Sequence, residues 1–333
     1  MNIRSFYLLP LFLSTLCLSC ATENRDVSTK GAKTVEQVVH IEKILSPQNR
    51  SIQNLNAFVQ EDDEAAQFFA TQVLGVNDLK SPDFINICQQ FLSDSVVSKA
   101  YHSVDSLFNK KNDNDYFTSF RYFNHYFPAK PLPQIYTLVS GFNHSLVYNQ
   151  TQIGVSLDKY LGANCKYYEM LGIPSYKRKQ MKPERVAIDV MELWLRIQYP
   201  LSIKKRKLID HIIYEGQILY ALSYLFPDQE LYYPIGFTKQ QWEWCQNSEI
   251  GMWNYLVDQK LLFKSDPLLI RKMVGPAPFT NFFTPKSPGQ CGRWIGYKII
   301  QSYMKNHKNL SLEELLGRTN SSEILNESSY SPR

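Results

Sequence analysis

The chain has 333 residues, of which 44% are hydrophobic and 14% aromatic, and its formal net charge is +5. This apolar content excludes global disorder, and the length suits one large domain or two. The densest basic runs, residues 177–179 and 204–207, lack the zinc-finger spacing, aromatic motif or arginine-rich arm that accompany nucleic-acid binding. We therefore expect no nucleic-acid partner.

Residues 1–19 are typical of a bacterial lipoprotein signal peptide. Their apolar stretch, residues 6–18, is too short to span a bilayer. A small residue followed by Cys20 resembles a lipobox, although Cys17 stands where leucine is usual. The alternative is an ordinary secretory signal without lipid. The lipobox predicts a diacylglycerol on Cys20, and because Ala21 follows instead of Asp, the default location is the outer membrane.

The cysteines after the signal have wide and irregular spacings: Cys88, Cys165, Cys245 and Cys291. No zinc motif has such spacings, and so large a core favours buried free thiols. Disulfides remain an alternative in an oxidising compartment.

The first half of the chain is predicted to be a tether followed by helices. Residues 20–35 are polar and predict a flexible tether, and residues 38–44 alternate weakly, as in a short strand. Helical periodicity then covers residues 53–60, 64–74, 83–92 and 95–108, with Pro82 suited to a first helical position. Residues 109–115 form a polar break.

The middle of the chain predicts a small sheet. Alternating or apolar segments occupy residues 135–139, 143–148 and 152–157, and the turn residues 149–151 suit a hairpin between the last two. Antiparallel strands inserted among helices predict an α+β fold that is predominantly helical with a small antiparallel sheet.

Helices resume in the second half, over residues 183–198 and 208–226. Thr238 begins a capping box, Pro267 begins a short helix, and Gly292 and Gly296 allow a close contact by the last long helix. No internal repeat occurs. We assign residues 36–326 to one domain and residues 327–333 to a frayed tail.

Residues 208–226 predict a buried central helix with a titratable pair on it. Apolar residues cover most of its circumference, and His211 and Glu215 lie one turn apart on one face. A carboxylate among apolar side chains is costly unless it is paired. The two residues are therefore either a satisfied core pair, with Tyr214 or a nearby arginine, or part of an active site.

A zinc peptidase would need two imidazoles one turn apart, but the chain has no H-E-x-x-H motif. His211 and Glu215 could supply two ligands, and Asp189 or Glu192 a third. This set defines one alternative, a divergent zinc-dependent hydrolase.

A competing interpretation covers those two carboxylates. Asp189 and Glu192 form i,i+4 pairs with Arg185 and Arg196, a pattern that favours a solvated helix face. One turn into the last long helix, Arg293 could bind an anion or pair with a carboxylate.

Four long segments resemble the gliding-motility lipoprotein GldB family of Bacteroidota, and the resemblance extends over most of residues 36–326. They are LVSGFNHSLVYNQTQIGVSLDKYLG (138–162), YYEMLGIPSYKRKQMKPE (167–184), IYEGQILY (213–220) and FTPKSPGQCGRWIGYKIIQSYM (283–304).

The family is distantly similar to zincin-like putative peptidases. On that comparison residues 186–194 occupy the place of the metal motif but read VAIDVMELW, and Glu215-Gly216 matches a later Glu-Gly step. The resemblance thus implies a zincin-like fold with a degenerate metal motif.

Together these patterns predict a non-catalytic lipoprotein of the cell envelope. By resemblance it is an accessory or scaffold component of gliding motility or the associated secretion machinery, with a membrane-inserted lipid and envelope protein partners. No cofactor is expected, and zinc belongs only to the hydrolase alternative with His211, Glu215 and Asp189. A further alternative is a peptide- or glycan-binding lipoprotein with an open cleft.

Overall fold

The computed structural model describes residues 25, 27–81, 83–108 and 117–333. Several predicted features lie outside the described residues: the signal peptide 1–19, the lipidation site Cys20, Pro82 and the polar break 109–115. In the described part of the chain, no helix has both the length and the apolar character needed to cross a membrane.

The described residues are mostly helical, as predicted. The four strands are β1 (Val38–His40), β2 (Gln134–Leu138), β3 (Leu146–Tyr148) and β4 (Gln152–Ser156). The helices between β1 and the rest of the sheet are α1 (Ile41–Ile44), α2 (Ile52–Glu61), α3 (Asp63–Phe69), α4 (Phe84–Ser93), α5 (Ser95–Phe108) and α6 (Ser119–Tyr126). Those after it are α7 (Lys166–Met170), α8 (Ser175–Arg178), α9 (Val186–Gln198), α10 (Leu208–Leu225), α11 (Lys239–Asp258), α12 (Pro267–Val274), α13 (Cys291–Asn306), α14 (Leu312–Gly317) and α15 (Ser321–Ser328).

The sheet is mixed, so the prediction of an antiparallel sheet is wrong. Its order is β1-β2-β4-β3; β1 and β4 both run parallel to β2, and only β3 and β4 are antiparallel. The predicted hairpin exists, and the Asn149 side chain accepts hydrogen bonds from the backbone N–H groups of Thr151 and Gln152. In this hairpin β3 lies at the edge of the sheet, and β4 lies between β3 and β2. The chain therefore enters β4 in the same direction as β2. Alternation along a strand reveals its faces but not the direction of its neighbours.

The parallel pairing brings three strand ends to one edge of the sheet. His40 is the last residue of β1, and Thr137 is the residue before the last of β2. A 3-10 turn over Leu157–Lys159 follows β4 directly. Loops at the carboxyl ends of parallel strands commonly form binding sites. The predicted strand over residues 38–44 is shorter than expected because α1 begins immediately after His40.

Helix α10 is the buried central helix that its sequence predicts, and it crosses α13 at very short range. A Cβ atom on Gly216 would lie 2.3 Å from the backbone carbonyl carbon of Gly296, and one on Gly296 would lie 2.0 Å from the carbonyl oxygen of Ile212. Only glycine allows this approach. The crossing places Glu215 of α10 beside Arg293 of α13.

Two residues of the segment predicted to be a frayed tail, 327–333, contact the helices α13 and α11. Helix α15 ends at Ser328, whose carbonyl oxygen accepts a hydrogen bond from Ser302 of α13. Tyr330 packs edge-on against Trp253 and donates a 2.8 Å hydrogen bond to Glu249. One aromatic contact and one hydrogen bond thus attach Tyr330 to α11.

Candidate functional site

Four charged side chains from α9, α10 and α13 form one partly buried ion cluster: Glu192, Arg196, Glu215 and Arg293. Arg196 donates to both oxygens of Glu215, at 2.9 and 2.7 Å, and to Glu192 at 2.7 Å. Arg293 lies 2.8 Å from Glu192 through Nη2 and 2.9 Å from Glu215 through Nε. Two guanidinium groups and two carboxylates leave the cluster with no formal net charge.

The electrostatics of the ion cluster suit a structural role. Burial alone would raise the pKa of Glu192, but Arg293 and Arg196 outweigh it and lower that pKa to about 2. Buried ions that are mutually paired cost far less than isolated ones. Arg293 pairs with carboxylates, which is one of the two roles its sequence position suggested.

Asp189 belongs to a second ion pair, and the face that is predicted to be solvated is instead mostly covered. Arg185 donates to Asp189 over 2.8 Å and also to the carbonyl oxygen of Tyr233. The Tyr160 hydroxyl donates to the other Asp189 oxygen at 3.1 Å. Arg185 is only 6% exposed. The i,i+4 pattern is the same on a solvated and on a buried face, because pairing satisfies the charges in both.

The structure separates the two candidates on the central helix. Glu215 is held by Arg196 and Arg293 and not by His211, so it is a satisfied core carboxylate paired with arginines. His211 is half-buried near the start of α10.

The donor set of the hydrolase alternative does not fit a zinc ion. Both oxygens of Glu215 face guanidinium groups, and both oxygens of Asp189 already accept hydrogen bonds, one from Arg185. Adjacent positive charges oppose a divalent cation. Among the described residues, no group of three or more His, Cys, Asp or Glu side chains is placed to hold a metal ion.

A cavity that the sequence did not predict lies at the carboxyl ends of the parallel strands, and we name it the edge pocket. Its volume is about 250 Å³. Its apolar wall comes from five side chains: Val104, Phe108, Phe117, Leu157 and Val186. Its polar side chains are His40, Glu42, Tyr101 and Thr137 in the interior, with Lys43, His102 and Asp105 on exposed positions.

A hydrogen-bonded chain of three side chains forms the polar floor of the edge pocket. Thr137 donates its only hydroxyl hydrogen to Glu42 over 2.7 Å. At the 2.8 Å contact between His40 Nδ1 and Thr137 Oγ1, the threonine oxygen must therefore accept, so Nδ1 carries the hydrogen. His40 Nδ1 also lies 3.2 Å from Glu42. Glu42, which is only 7% exposed, thus accepts a hydrogen bond from Thr137 at one oxygen and lies beside His40 Nδ1 at the other.

The Tyr101 hydroxyl also borders this floor and has no hydrogen-bond partner among the described residues, although the side chain is 97% buried. Burial raises the Tyr101 pKa well above its usual value, so the hydroxyl is protonated. The Arg50 guanidinium lies 4.8 Å from the centre of the Tyr101 ring. A buried hydroxyl without a partner beside a cavity marks a place where a ligand or water binds.

Sequence reasoning missed the edge pocket because its parts are far apart in the chain. His40 and Thr137 are separated by 97 positions and meet only through the β1–β2 pairing. The one local signal was a histidine and a glutamate two residues apart directly after a short strand, at His40 and Glu42.

One of three comparisons with known proteins gave a match, and it covers residues 22–332. Neither the curated proteins nor the solved structures gave a match. A family model described as gliding motility protein GldB, whose label marks its members as lipoproteins, matches residues 22–332. The chain therefore belongs to the gliding motility protein GldB family.

Proposed function

We propose that the protein is a non-catalytic lipoprotein of the bacterial cell envelope that supports gliding motility as an accessory component. The family supplies the gliding and lipoprotein parts of this proposal. The ion cluster carries the non-catalytic part. At the place of the peptidase motif, Glu192 and Glu215 are neutralised by Arg196 and Arg293, so neither carboxylate is available to a metal or a water nucleophile. In this proposal the fold is a zincin-like one whose catalytic centre has been replaced by salt bridges.

His211→Ala tests the proposal, because His211 is essential to the hydrolase alternative and lies outside the ion cluster. Deleting the gene in its own host should abolish colony spreading, and the His211→Ala form should restore it fully. Immunoblotting and thermal unfolding check abundance and fold. Loss of spreading with normal abundance and stability, together with zinc bound stoichiometrically to the wild-type protein, would establish the hydrolase instead.

The anchoring proposal has a separate test. We propose that Cys20 carries the lipid and that the protein resides in the outer membrane. Cys20→Ala should move the protein out of the membrane fraction, and density separation of wild-type membranes should place it with the outer membrane. A variant that stays with the membranes would rule out the lipid at Cys20.

One observation favours a second function, that of a ligand-binding lipoprotein. The edge pocket combines an apolar wall with a polar floor and lies at the carboxyl ends of parallel strands, where ligands often bind. Binding and accessory roles are compatible, since a lipoprotein can act on motility by capturing a peptide, a glycan or another small molecule. The pocket variants described below distinguish this function from a purely structural role.

A further inference from the structure

We propose that the edge pocket binds a protonated amine carried on a small apolar body. The inference rests on the ligand-binding function and names the chemistry of its ligand. Three features of the pocket support it: its size and wall, the charge on its floor, and the unpartnered tyrosine hydroxyl.

The size and wall select a small apolar body. A dry cavity of about 150 Å³ holds a benzene molecule, so the edge pocket, at about 250 Å³, has room for a ring or branched chain with a short polar substituent. Two phenylalanines, Phe108 and Phe117, lie on the same wall as Val104, Leu157 and Val186. Such a wall favours an aromatic or branched aliphatic group over a sugar ring with a hydroxyl on every carbon.

The polar floor of the pocket favours a ligand with a positively charged hydrogen-bond donor. The Glu42 carboxyl group is buried, and no lysine or arginine of the described residues forms an ion pair with it. A carboxylate accepts about four hydrogen bonds, whereas His40 and Thr137 supply one contact to each oxygen. Each oxygen thus keeps capacity for an N–H donor. A buried charge of this kind is much more stable with a charged partner.

The remaining charges at the pocket point the same way. Asp105 adds a second carboxylate and Lys43 one ammonium, so with neutral histidines the formal charge of the lining is −1. Arg50 does not line the cavity; it packs on the Tyr101 ring, and one of its guanidinium nitrogens donates to the carbonyl oxygen of Leu92. A carboxylate or phosphate ligand would meet the carboxyl groups of Glu42 and Asp105, against Lys43 as the one lysine or arginine of the described residues that lines the cavity.

The Tyr101 hydroxyl completes the site for an ammonium group. Its oxygen can accept from the ligand while its hydrogen bonds water or a second ligand atom. An ammonium head has three donors, which suits two oxygens of Glu42 and one of Tyr101. The ligand could be a free amine or the N-terminal residue of a peptide, since both present the same head on an apolar side chain.

The test uses the full-length lipoprotein in detergent and three probes of equal size: benzylammonium, benzyl alcohol and benzoate. Saturation-transfer NMR titration should give benzylammonium a Kd of about 1 mM, an affinity typical of so small a ligand. Benzyl alcohol should bind more weakly and benzoate not at all. Equal or tighter binding of benzoate, or no binding of any probe, would overturn the inference.

Two variants locate the binding. Glu42→Gln should weaken benzylammonium binding about 10-fold or more, and Tyr101→Phe about 2- to 10-fold, as expected for a charged and a neutral hydrogen bond. Glu169→Gln and Tyr148→Phe, on exposed side chains outside the pocket, are the matched controls and should leave the Kd unchanged. An unchanged Kd in Glu42→Gln would place the probe elsewhere and refute the assignment.

Peptides distinguish the two sources. The tripeptide Phe-Gly-Gly and its N-acetylated form differ only in the ammonium head. If Phe-Gly-Gly binds more tightly than benzylammonium and the acetylated form does not bind, the ligand is a peptide N-terminus; if benzylammonium binds more tightly, it is a free amine. Failure of all probes while His211→Ala still restores spreading would remove the amine ligand but leave the accessory envelope role intact.

Discussion

The ion cluster and the edge pocket each bring polar side chains together inside the fold. Only the ion cluster gives every one of its carboxylates an arginine partner. In the ion cluster each of the two carboxylates pairs with both arginines, and the four side chains together carry no formal net charge. In the edge pocket no lysine or arginine of the described residues pairs with Glu42, and the Tyr101 hydroxyl forms no hydrogen bond with any of them. We infer that the paired charges serve the fold, whereas the unpartnered hydroxyl beside a cavity serves the proposed ligand.

The largest effect that this comparison predicts is the loss of stability on breaking the ion cluster. Arg293→Met keeps the approximate length of the side chain but leaves Glu192 and Glu215 to share Arg196. Removing one member of a buried ion network costs about 3–5 kcal/mol of the free energy of unfolding. Urea unfolding followed by circular dichroism measures it.

Lys298→Met on the same helix is the control for that change. Lys298 lies 3.7 Å from Glu249 in a more exposed pair, and such pairs contribute about 0–1 kcal/mol. Equal losses in the two variants would show that the ion cluster is no more than a set of surface salt bridges.

A second prediction concerns pH. Asp158 and Glu192 should change the free energy of unfolding in opposite directions as pH rises. Burial raises the pKa of Asp158 to about 6, although the backbone N–H groups of Phe142 and Ser140 lower it in part. Between the ordinary pKa of 3.8 and about 6, the folded state therefore binds more protons at Asp158 than the unfolded state. Stability from this group is present at low pH and is lost as pH rises through that window, by about 3 kcal/mol in total.

Asp158→Asn isolates the effect, since asparagine does not titrate. The free energy of unfolding of the wild type minus that of Asp158→Asn should fall by about 3 kcal/mol between about pH 4 and about pH 6. The same difference for Glu192→Gln should instead rise as pH increases from about 2 to 4.5, because the Glu192 pKa is lowered. A constant difference for Asp158→Asn would mean that its pKa is the same in both states.

The third prediction tests the helix crossing that holds the ion cluster together. In Gly216→Ala the new methyl group would lie 2.3 Å from the Gly296 backbone, so α10 and α13 must separate. Overpacking of this kind costs about 1–3 kcal/mol.

Gly251→Ala is the matched control because Gly251 is also within a helix, α11, but its Cβ would meet nothing within 4 Å. Alanine there should increase stability by about 0.5–1 kcal/mol. A stability loss in both variants would remove the special status of the crossing. Thermal unfolding of the two variants side by side decides between these outcomes.

The sequence predicted what depends on local periodicity and missed what depends on long-range pairing. The central helix, the β3–β4 hairpin and the capping box at Thr238 follow from residues close together in the chain, and all three are correct. The direction of the β1–β2 pairing depends on a contact across about a hundred residues, which no local pattern encodes. The edge pocket could not be predicted for the same reason, because its polar floor forms only where β1 and β2 pair.

The burial of charged side chains was the other feature that the sequence could not predict. The pairing of Arg185 with Asp189 was visible as an i,i+4 spacing, yet that spacing cannot tell whether another element covers the pair. Glu215 was correctly recognised as a carboxylate in need of a partner, and a nearby arginine was among the partners considered. Its two arginines come from α9 and α13, and only the Gly216–Gly296 crossing brings the second one close.

The smallest expected effect gives the sharpest test, since it compares the same chemical change in two buried tyrosines. The Tyr168 hydroxyl donates to the carbonyl oxygen of Asp158 and accepts from the N–H of Leu161, both at 2.8 Å, so Tyr168→Phe leaves two buried backbone groups unpaired. That costs about 1–3 kcal/mol. Tyr101→Phe removes a hydroxyl that bonds none of the described residues, and the free energy of unfolding should change by less than about 1 kcal/mol or increase.

Urea unfolding of the two variants therefore separates a structural tyrosine from one kept for binding. If Tyr101→Phe is as destabilising as Tyr168→Phe, the Tyr101 hydroxyl belongs to the core and the edge pocket loses one of its binding groups. If Tyr101→Phe keeps its stability but weakens benzylammonium, the hydroxyl contributes to binding without contributing to the fold. The second outcome would explain why position 101 carries a tyrosine and not a phenylalanine.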